Sequence, residues 1–343
     1  MNQVAGKTRI RPARARRDES PAPRRFFSGR DVWWWSGLGL LLAAALLRLL
    51  YLNEKPLHHD EGVNGNFLVT LFRTGYYHYD PSNYHGPTLY YLAVIPTAIN
   101  NVIHWGHGLS TFAIRLVTAA FGVGVVWLML CLRRFLGASA SLAAAAFAAV
   151  SCGFVYFSRY FIHEILFVFF SLGVIVAWLW YRDTGRPRYL LLASASAAML
   201  FATKETWIIT AAVWLIAVPC TTFYLWLRRR AQGEATLASG KGLPQYPDSG
   251  NNKKLYLEAA GLFVAISVIL YSSFFTNPGG ILDSLRTFTF WTKTGHSGIY
   301  DKEWWTYARW MLTEEAPILI LGAIGVVVAL ARRSEEHSLN SSH

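Results

Sequence analysis

A series of apolar runs, each close to the length of a membrane-spanning helix, is the feature of this sequence that most constrains its fold. A helix of about 20 residues rises about 30 Å, which is the thickness of the hydrocarbon core of a bilayer. Only 15% of the residues are charged, against about 25% in soluble domains. The chain is therefore predicted to be an all-α polytopic membrane protein with about eight transmembrane helices. The predicted spans are residues 32–52, 111–132, 139–157, 164–181, 189–203, 206–226, 255–275 and 314–331.

Basic residues between these runs predict how the chain is threaded, because Arg and Lys concentrate in cytoplasmic loops. A further apolar stretch, residues 87–104, is shorter and contains Pro96. If this stretch does not cross the membrane, the basic N-terminal tail and all later basic clusters lie on the same side. We therefore predict that 87–104 is a juxtamembrane helix on the outer surface. Both termini are then cytoplasmic, in a protein of the plasma membrane.

This threading predicts one membrane domain, residues 31–331, between two cytoplasmic tails. The N-terminal tail, residues 1–30, is rich in Arg and Pro with little to bury, which is typical of disorder. The second tail is 332–343, the outer loops are 53–110 and 276–313, and a cytoplasmic linker spans 227–254. The net charge is +12, but it resides in short clusters between spans, so we predict no nucleic-acid partner. The three cysteines form no CxxC pair and are interpreted as small apolar residues.

The sequence His58-His59-Asp60-Glu61 is a dense group of ionisable side chains just after a predicted span. Ionisable groups at a membrane are a functional hypothesis by default. Adjacent carboxylates in an extended segment point in different directions. One can therefore act as a base while the other takes a metal ion or a hydrogen bond. The alternative is a solvated pair of loop acids.

Two other predicted outer turns carry charges with two interpretations each. Arg159 and Glu164 are an ion pair at the interface, or else Arg159 binds an anion such as a phosphate and Glu164 joins Asp60. Lys204 and Glu205 satisfy each other at the membrane edge, or else Lys204 binds a phosphate. A charge at membrane depth costs about 3 kcal/mol on insertion scales, so a reason for this pair is expected.

Three more polar residues lie near the ends of apolar stretches. His85 precedes Pro87 at the start of the surface helix and either caps this helix or faces the same site. Arg48 and Arg115 lie near span ends, where long basic side chains usually extend toward the interface.

Taken together, these motifs resemble the GT-C membrane glycosyltransferases of the protein O-mannosyltransferase and aminoarabinose-transferase type. The resemblance covers about residues 31–210, and the variants His-His-Asp-Glu-Gly and Tyr-His-Gly-Pro are most similar to the archaeal and bacterial flippase-activity-associated proteins. The motifs that carry it are Asp60-Glu61, Tyr84-His85-Gly86-Pro87, Arg115-Leu116, Ser158-Arg159 with Glu164, and Lys204-Glu205.

The resemblance implies a GT-C-like helical bundle that transfers a sugar from a polyprenyl-phosphate-linked donor with inversion. Asp60 would be the catalytic base, with Glu61 and Glu164 assisting through hydrogen bonds or through a divalent metal ion held by Asp60 and Glu164. The donor phosphate would be bound by Arg159, Lys204 and His85. The supporting residues would be His59, His163, Glu205 and Arg115.

The implied active site lies on the outer face. Its partners would be membrane lipid, the lipid-linked sugar, an acceptor that is a protein, a lipid or a glycan, and a membrane protein. Two alternatives stay open: a transport-associated subunit that handles lipid-linked sugars, and a non-catalytic scaffold. A transporter would predict paired inverted halves, and the sequence shows no such symmetry.

Overall fold

The computed structural model describes residues 29–83, 85–104, 109–232, 253–295 and 302–340. Within these residues the protein is built from α-helices, and its only β-type pairing is a single bridge between His85 and Lys204. The helices are α1 (Gly29–Leu49), α2 (His59–Thr74), α3 (Thr88–Ile103), α4 (Thr111–Cys131), α5 (Arg133–Leu136), α6 (Ala138–Val150), α7 (Cys152–Ser158), α8 (Glu164–Thr184), α9 (Pro187–Phe201), α10 (Trp207–Gln232), α11 (Lys253–Tyr271), α12 (Gly279–Gly295), α13 (Thr306–Glu314) and α14 (Ala316–Asn340).

The prediction of an all-α polytopic membrane protein is confirmed. Five described helices are long and apolar enough to cross a bilayer: Val32–Leu49, Thr111–Cys131, Glu164–Thr184, Trp207–Tyr224 and Lys253–Tyr271. Two bent pairs would raise this number to seven, Ala138–Val150 with Cys152–Ser158 at 58° and Thr306–Glu314 with Ala316–Val328 at 103°. The count falls below eight because the predicted span 189–203 forms α9, an apolar helix of only 15 residues.

Helix α3 occupies nearly the residues predicted for the surface helix, and it is likewise too short for a straight span at 16 residues. One side of it is buried against α2 and α4 through residues such as Leu89, Tyr90 and Ala93. Its position on the outer side of a membrane stays a prediction.

Helix α4 lies at the centre of the described bundle, where it packs against α1, α3, α6, α7 and α8. The main apolar core is formed there by residues including Leu68, Val125, Phe161 and Leu166. A second group of contacts joins α8, α9 and α11. Helices α2 and α3 therefore rest on the same core as the apolar helices, which fixes the position of Asp60 in the first turn of α2.

Two arginines predicted to extend toward the interface are instead buried. Arg48 has no exposed surface, and its guanidinium donates to the carbonyls of Ala44, Ala148 and Ala149 and to the Ser158 hydroxyl. The break between α6 and α7 leaves the last carbonyls of α6 without helical partners, and the guanidinium satisfies them. Arg115 is likewise 1% exposed. The snorkelling prediction is thus wrong for both residues.

A glycine permits the close approach of helices around Arg48. A Cβ atom on Gly122 of α4 would lie 2.1 Å from the Ser158 Oγ and 2.7 Å from the Arg48 Nε. Such distances are far below van der Waals contact, so only glycine fits where α1, α4 and α7 meet.

Candidate active site

Glu61 is a fully buried carboxylate with four hydrogen-bond donors around it. Arg115 holds both oxygens, with Nε 2.8 Å from Oε1 and Nη2 2.7 Å from Oε2. The backbone N–H of Phe161 donates to Oε1 at 2.8 Å, and that of His58 donates to Oε2 at 2.9 Å. The His58 contact belongs to a capping box that begins α2. The bidentate ion pair of Arg115 and Glu61 joins α4 to α2, and the Phe161 N–H adds the turn before α8.

The electrostatics of Glu61 follow from these contacts. Burial by itself would raise the pKa of the Glu61 carboxyl, but Arg115 and the two backbone N–H groups outweigh burial and hold the pKa below its usual value. Arg115 also donates to the carbonyls of Leu52, Lys55 and Pro56. The pair therefore anchors the segment that leads into Asp60.

Asp60, by contrast, presents its carboxylate to solvent. Its side chain is 65% exposed, and its nearest basic atom is the Nδ1 of His58 at 3.7 Å. Its backbone N–H donates to the same Nδ1 at 3.3 Å. His59 is also exposed, at the first position of α2. The two neighbouring carboxylates thus lie in different environments: Glu61 is buried with hydrogen-bond donors on both oxygens, and Asp60 is exposed to solvent.

Backbone contacts bring the segment before α3 against the segment between α9 and α10. The Gly86 N–H donates to the Thr203 carbonyl at 3.0 Å, and the Thr88 N–H donates to the Ala202 carbonyl at 3.1 Å. A Cβ on Gly86 would lie 2.0 Å from the Ala202 oxygen, so a side chain at this position would push the two segments apart. This pairing places His85 beside Lys204.

Five polar side chains meet at this point, and we name them the junction cluster: His85, His163, Glu164, Lys204 and Glu205. The Nζ of Lys204 lies 2.8 Å from the Oε1 of Glu164. The Nδ1 of His85 lies 3.0 Å from the Oε2 of Glu205. Lys204 and Glu205 therefore bind partners on other turns, and the interpretation in which they pair with each other does not describe the structure.

His163 is the buried member of the junction cluster. Its Nε2 lies 3.2 Å from the carbonyl oxygen of Gly86, an acceptor, so this nitrogen carries the proton. Its ring centroid is 4.9 Å from that of His85 and 5.5 Å from that of Tyr90. Burial, together with His85 and Lys204, holds the pKa of His163 well below its usual value despite the Gly86 carbonyl. His163 is therefore neutral at physiological pH.

Sequence reasoning missed two residues that connect Asp60's helix to this cluster. Asn64 donates to the Phe161 carbonyl at 3.0 Å and accepts from the Tyr90 hydroxyl at 3.0 Å. Tyr90 in turn packs edge-on against His163. A usable signal was present, because Asn64 lies three residues after Glu61 and so shares its helix face.

Arg159 lies apart from these pairs. Its guanidinium donates to the carbonyls of Leu47, Leu50 and Tyr51 at 2.8, 2.7 and 3.1 Å, which caps the C-terminal end of α1. A cation is favourable at that end of a helix. In the part of the chain that the structure describes, Glu164 pairs with Lys204 rather than with Arg159. The three residues predicted to bind one phosphate are thus divided between two places.

The predicted metal site has no preformed ligand cage. Among the described residues, no group of three or more His, Cys, Asp or Glu side chains is arranged to hold a metal ion. Glu164 is occupied by Lys204, while Asp60 is open to solvent. A metal ion at Asp60 and Glu164 stays a prediction.

Comparison with models of known protein families gives a match to part of the chain. Residues 84–234 match the family described as dolichyl-phosphate-mannose-protein mannosyltransferase. The resemblance to GT-C membrane glycosyltransferases is confirmed. The matched residues include the whole junction cluster, Arg115 and Arg159, whereas Asp60 and Glu61 precede the match.

One solved structure similar to this chain is the S. cerevisiae protein O-mannosyltransferase Pmt1-Pmt2 complex bound to the sugar donor. The two are 19% identical with a TM-score of 0.47, over 71% of this chain and 33% of the yeast chain. The chain thus spans about a third of the length of that relative. No curated protein matches the chain significantly.

Proposed function

We propose that this protein transfers a sugar from a polyprenyl-phosphate-linked donor to an acceptor hydroxyl at the outer face of the plasma membrane. The observation that carries the proposal is that two adjacent carboxylates differ in burial and in hydrogen bonding. Glu61 is saturated by Arg115 and two backbone N–H groups, while Asp60 remains open at the start of the same helix. The family match supplies the class of reaction.

Asp60 acts as the general base in this proposal. Its carboxylate removes the proton of the acceptor hydroxyl as that oxygen forms a bond to the anomeric carbon of the donor sugar. The bond from this carbon to the phosphate oxygen breaks, and polyprenyl phosphate leaves with the electron pair. A single displacement of this kind inverts the configuration and needs no enzyme nucleophile.

The junction cluster holds the leaving phosphate. Lys204 and His85 provide the N–H donors, which stabilise the negative charge that develops on the phosphate oxygen. Glu164 and Glu205 hold these two donors in position at 2.8 and 3.0 Å. Glu164 therefore assists through Lys204, and His163 supports His85 from its buried position.

Glu61 has a positioning role in the proposal rather than a role at the reacting atoms. All its contacts are within the protein, and through Phe161 it connects Asp60's helix to the turn that leads to Glu164. Arg115 supports the same connection. His59 is left as an exposed neighbour of Asp60 with a supporting role.

The membrane surroundings and partners complete the proposal. The acceptor is a protein, a lipid or a glycan, and both termini are cytoplasmic in the predicted threading. A membrane protein partner is supported by α10, in which no residue of Trp207–Tyr224 is buried. The surface of this helix is available to lipid or to another helix.

The proposal is tested by donor turnover in the full-length protein reconstituted in nanodiscs. Polyprenyl-phosphate mannose and other polyprenyl-phosphate sugars are supplied with membrane extracts as acceptor, and release of polyprenyl phosphate is followed. Asp60→Asn is expected to lower the rate by at least about 100-fold, the usual worth of a general base. Glu54→Gln is the matched control, because Glu54 is an exposed acid of the same loop. Equal rates for wild type and Asp60→Asn would refute the assignment of the base.

The same preparation distinguishes the alternative functions. A transport-associated subunit would move a lipid-linked sugar across the bilayer without releasing polyprenyl phosphate. A non-catalytic scaffold would do neither. Either result in the wild-type protein, with every donor supplied, would contradict the proposal.

A further inference from the structure

A pocket lies where α1 ends and α7 begins, and Arg115, Arg159 and Tyr160 are among the residues that line it. Its volume is about 390 Å³. Leu47, Val150 and Val155 form apolar walls, and Tyr51, Tyr156 and Tyr160 lie around it. This volume suits a phosphate head and the first part of a hydrocarbon chain, and not a whole long-chain lipid.

The charges around this pocket have one sign. Lys55, Arg115 and Arg159 line it, and none of its described lining residues is acidic. The Arg115 charge is already neutralised by Glu61 at 2.7 Å. Lys55 is exposed and has no acidic partner in the described parts of the chain, so its ammonium is available to a ligand.

Arg159 can contribute to the same ligand. Its Nη1 and Nη2 donate to carbonyls at the end of α1, which fixes the guanidinium at the wall of the pocket with its charge retained. No carboxylate balances this charge within the described residues. A fixed cation beside a mobile one, Lys55, is a suitable arrangement for a phosphate group.

The apolar walls face outward from the bundle. Val150 is 60% exposed, Leu47 is 44% exposed and Tyr156 is 46% exposed. These residues lie near the ends of helices that are long and apolar enough, alone or as a bent pair, to cross a bilayer, so their exposed surfaces suit contact with lipid. Tyrosines at the cationic end suit a membrane interface, where one side of the ring is apolar and the other is hydrated.

We propose that this pocket binds a membrane lipid with an anionic phosphate head. The head lies between Lys55 and Arg159, and the hydrocarbon chain leaves along Leu47, Val150 and Val155 into the bilayer. A soluble anion would use the two cations but would leave the apolar walls without a partner. A zwitterionic lipid would bring its own cation against Lys55.

The proposal separates this lipid from the sugar donor, whose phosphate is assigned to the junction cluster. Tyr160 connects the pocket to Asp60 through His58: the Tyr160 ring lines the pocket and packs edge-on against His58 at 5.9 Å, and the His58 Nδ1 lies 3.7 Å from the Asp60 carboxylate. Binding here does not depend on sugar transfer and is measured without a donor.

Cys152 provides a reporter inside the pocket, because it is exposed and belongs to the lining. The other two cysteines are replaced by alanine, and the full-length protein is reconstituted in phosphatidylcholine nanodiscs with or without polyprenyl monophosphate. The rate of maleimide labelling at Cys152 is then compared. At a lipid concentration about ten times the dissociation constant, we expect labelling to slow about tenfold.

Lys55→Gln is expected to remove most of this protection, and Lys293→Gln, at an exposed lysine of α12, is expected to retain it. Arg159→Lys keeps the charge with fewer donors and is expected to give intermediate protection. Lipid retention measured by native mass spectrometry checks each variant independently of the thiol. Equal labelling rates with and without polyprenyl monophosphate would overturn the proposal. Equal protection by inorganic phosphate added to the phosphatidylcholine nanodiscs would overturn it as well.

Discussion

At the scale of single residues, the pair Asp60-Glu61 shows what adjacency in sequence can and cannot predict. Two neighbouring carboxylates were expected to point in different directions, and their side chains do lie in different environments. The sequence could not tell which of them is buried, because that depends on Arg115, 54 positions further along the chain. The general base is assigned to the carboxylate that this partner leaves open.

Removal of the Glu61 charge tests the positioning role. Glu61→Gln leaves the buried Arg115 guanidinium without its counter-charge, and breaking one side of a buried ion pair costs about 3–5 kcal/mol. We expect a lower midpoint of thermal unfolding in detergent for Glu61→Gln, with Glu54→Gln close to wild type. An unchanged midpoint in Glu61→Gln would show that the ion pair does not hold the segment that leads into Asp60.

His163 predicts a pH dependence of stability with a definite sign. The pKa of His163 is held well below its usual value in the folded protein. In the unfolded chain, the same side chain has the ordinary histidine pKa of about 6.5. As the pH falls below about 6.5, the unfolded state binds a proton at His163 and the folded state does not. The free energy of unfolding therefore decreases with falling pH, by up to about 1.4 kcal/mol per pH unit.

The variant His163→Gln lacks this titration and can still donate to the Gly86 carbonyl. We expect the difference in unfolding midpoint between wild type and His163→Gln to become smaller from pH 7.5 to pH 5. A difference that stays constant over this range would indicate that His163 is not the neutral, buried group described above.

At the scale of elements, the break between α6 and α7 is the feature that the sequence concealed. Residues 139–157 form one apolar run and are predicted as a single span. The structure bends them by 58° at Ser151. The apolar pattern alone does not predict this bend. Ser151 caps the start of α7 by accepting from the Phe154 N–H, and distant residues complete the break: Arg48 binds the carbonyls before it, and Glu315 binds Ser151 and Gly153.

Glu315 is predicted to keep the bend in place. Its Oε1 accepts from the Ser151 hydroxyl and from the Gly153 N–H at 2.8 Å, and it lies at the second bend, between α13 and α14. Glu315→Ala leaves these two partly buried donors without this acceptor, which costs at most about 1–3 kcal/mol for each of them, the value for a fully buried group. Cys152 lies between them, so we expect a changed rate of thiol labelling there in Glu315→Ala.

Glu314→Ala is the matched control for this measurement, since Glu314 is the exposed neighbour. If both variants labelled at the wild-type rate, the Glu315 contacts would have no part in holding the bend.

At the scale of the whole molecule, the threading of the chain was argued from charge alone. The segments that the positive-inside pattern assigned to one face are the same segments that meet in the junction cluster: the start of α3, the turn before α8 and the turn before α10. Which side chains pair there could not be predicted, because the pairings rest on the close backbone approach at Gly86. Such long-range contacts have no local signal in a sequence.

The sidedness itself is a testable prediction. In protein without other cysteines, a cysteine at position 54 is expected to react with a membrane-impermeant maleimide added to intact cells. A cysteine at position 186 is expected to react only after the membrane is permeabilised. The reverse pattern would place the junction cluster on the cytoplasmic side and contradict the threading.

The central claim is that Asp60 performs chemistry at a site that Glu61 builds. The most direct measurement is the single-turnover rate of sugar transfer in Asp60→Asn, together with its thermal unfolding midpoint. We predict a rate lowered by at least about 100-fold and a midpoint equal to that of the wild-type protein. A wild-type rate in Asp60→Asn, or a loss of rate that follows only from unfolding, would contradict the claim.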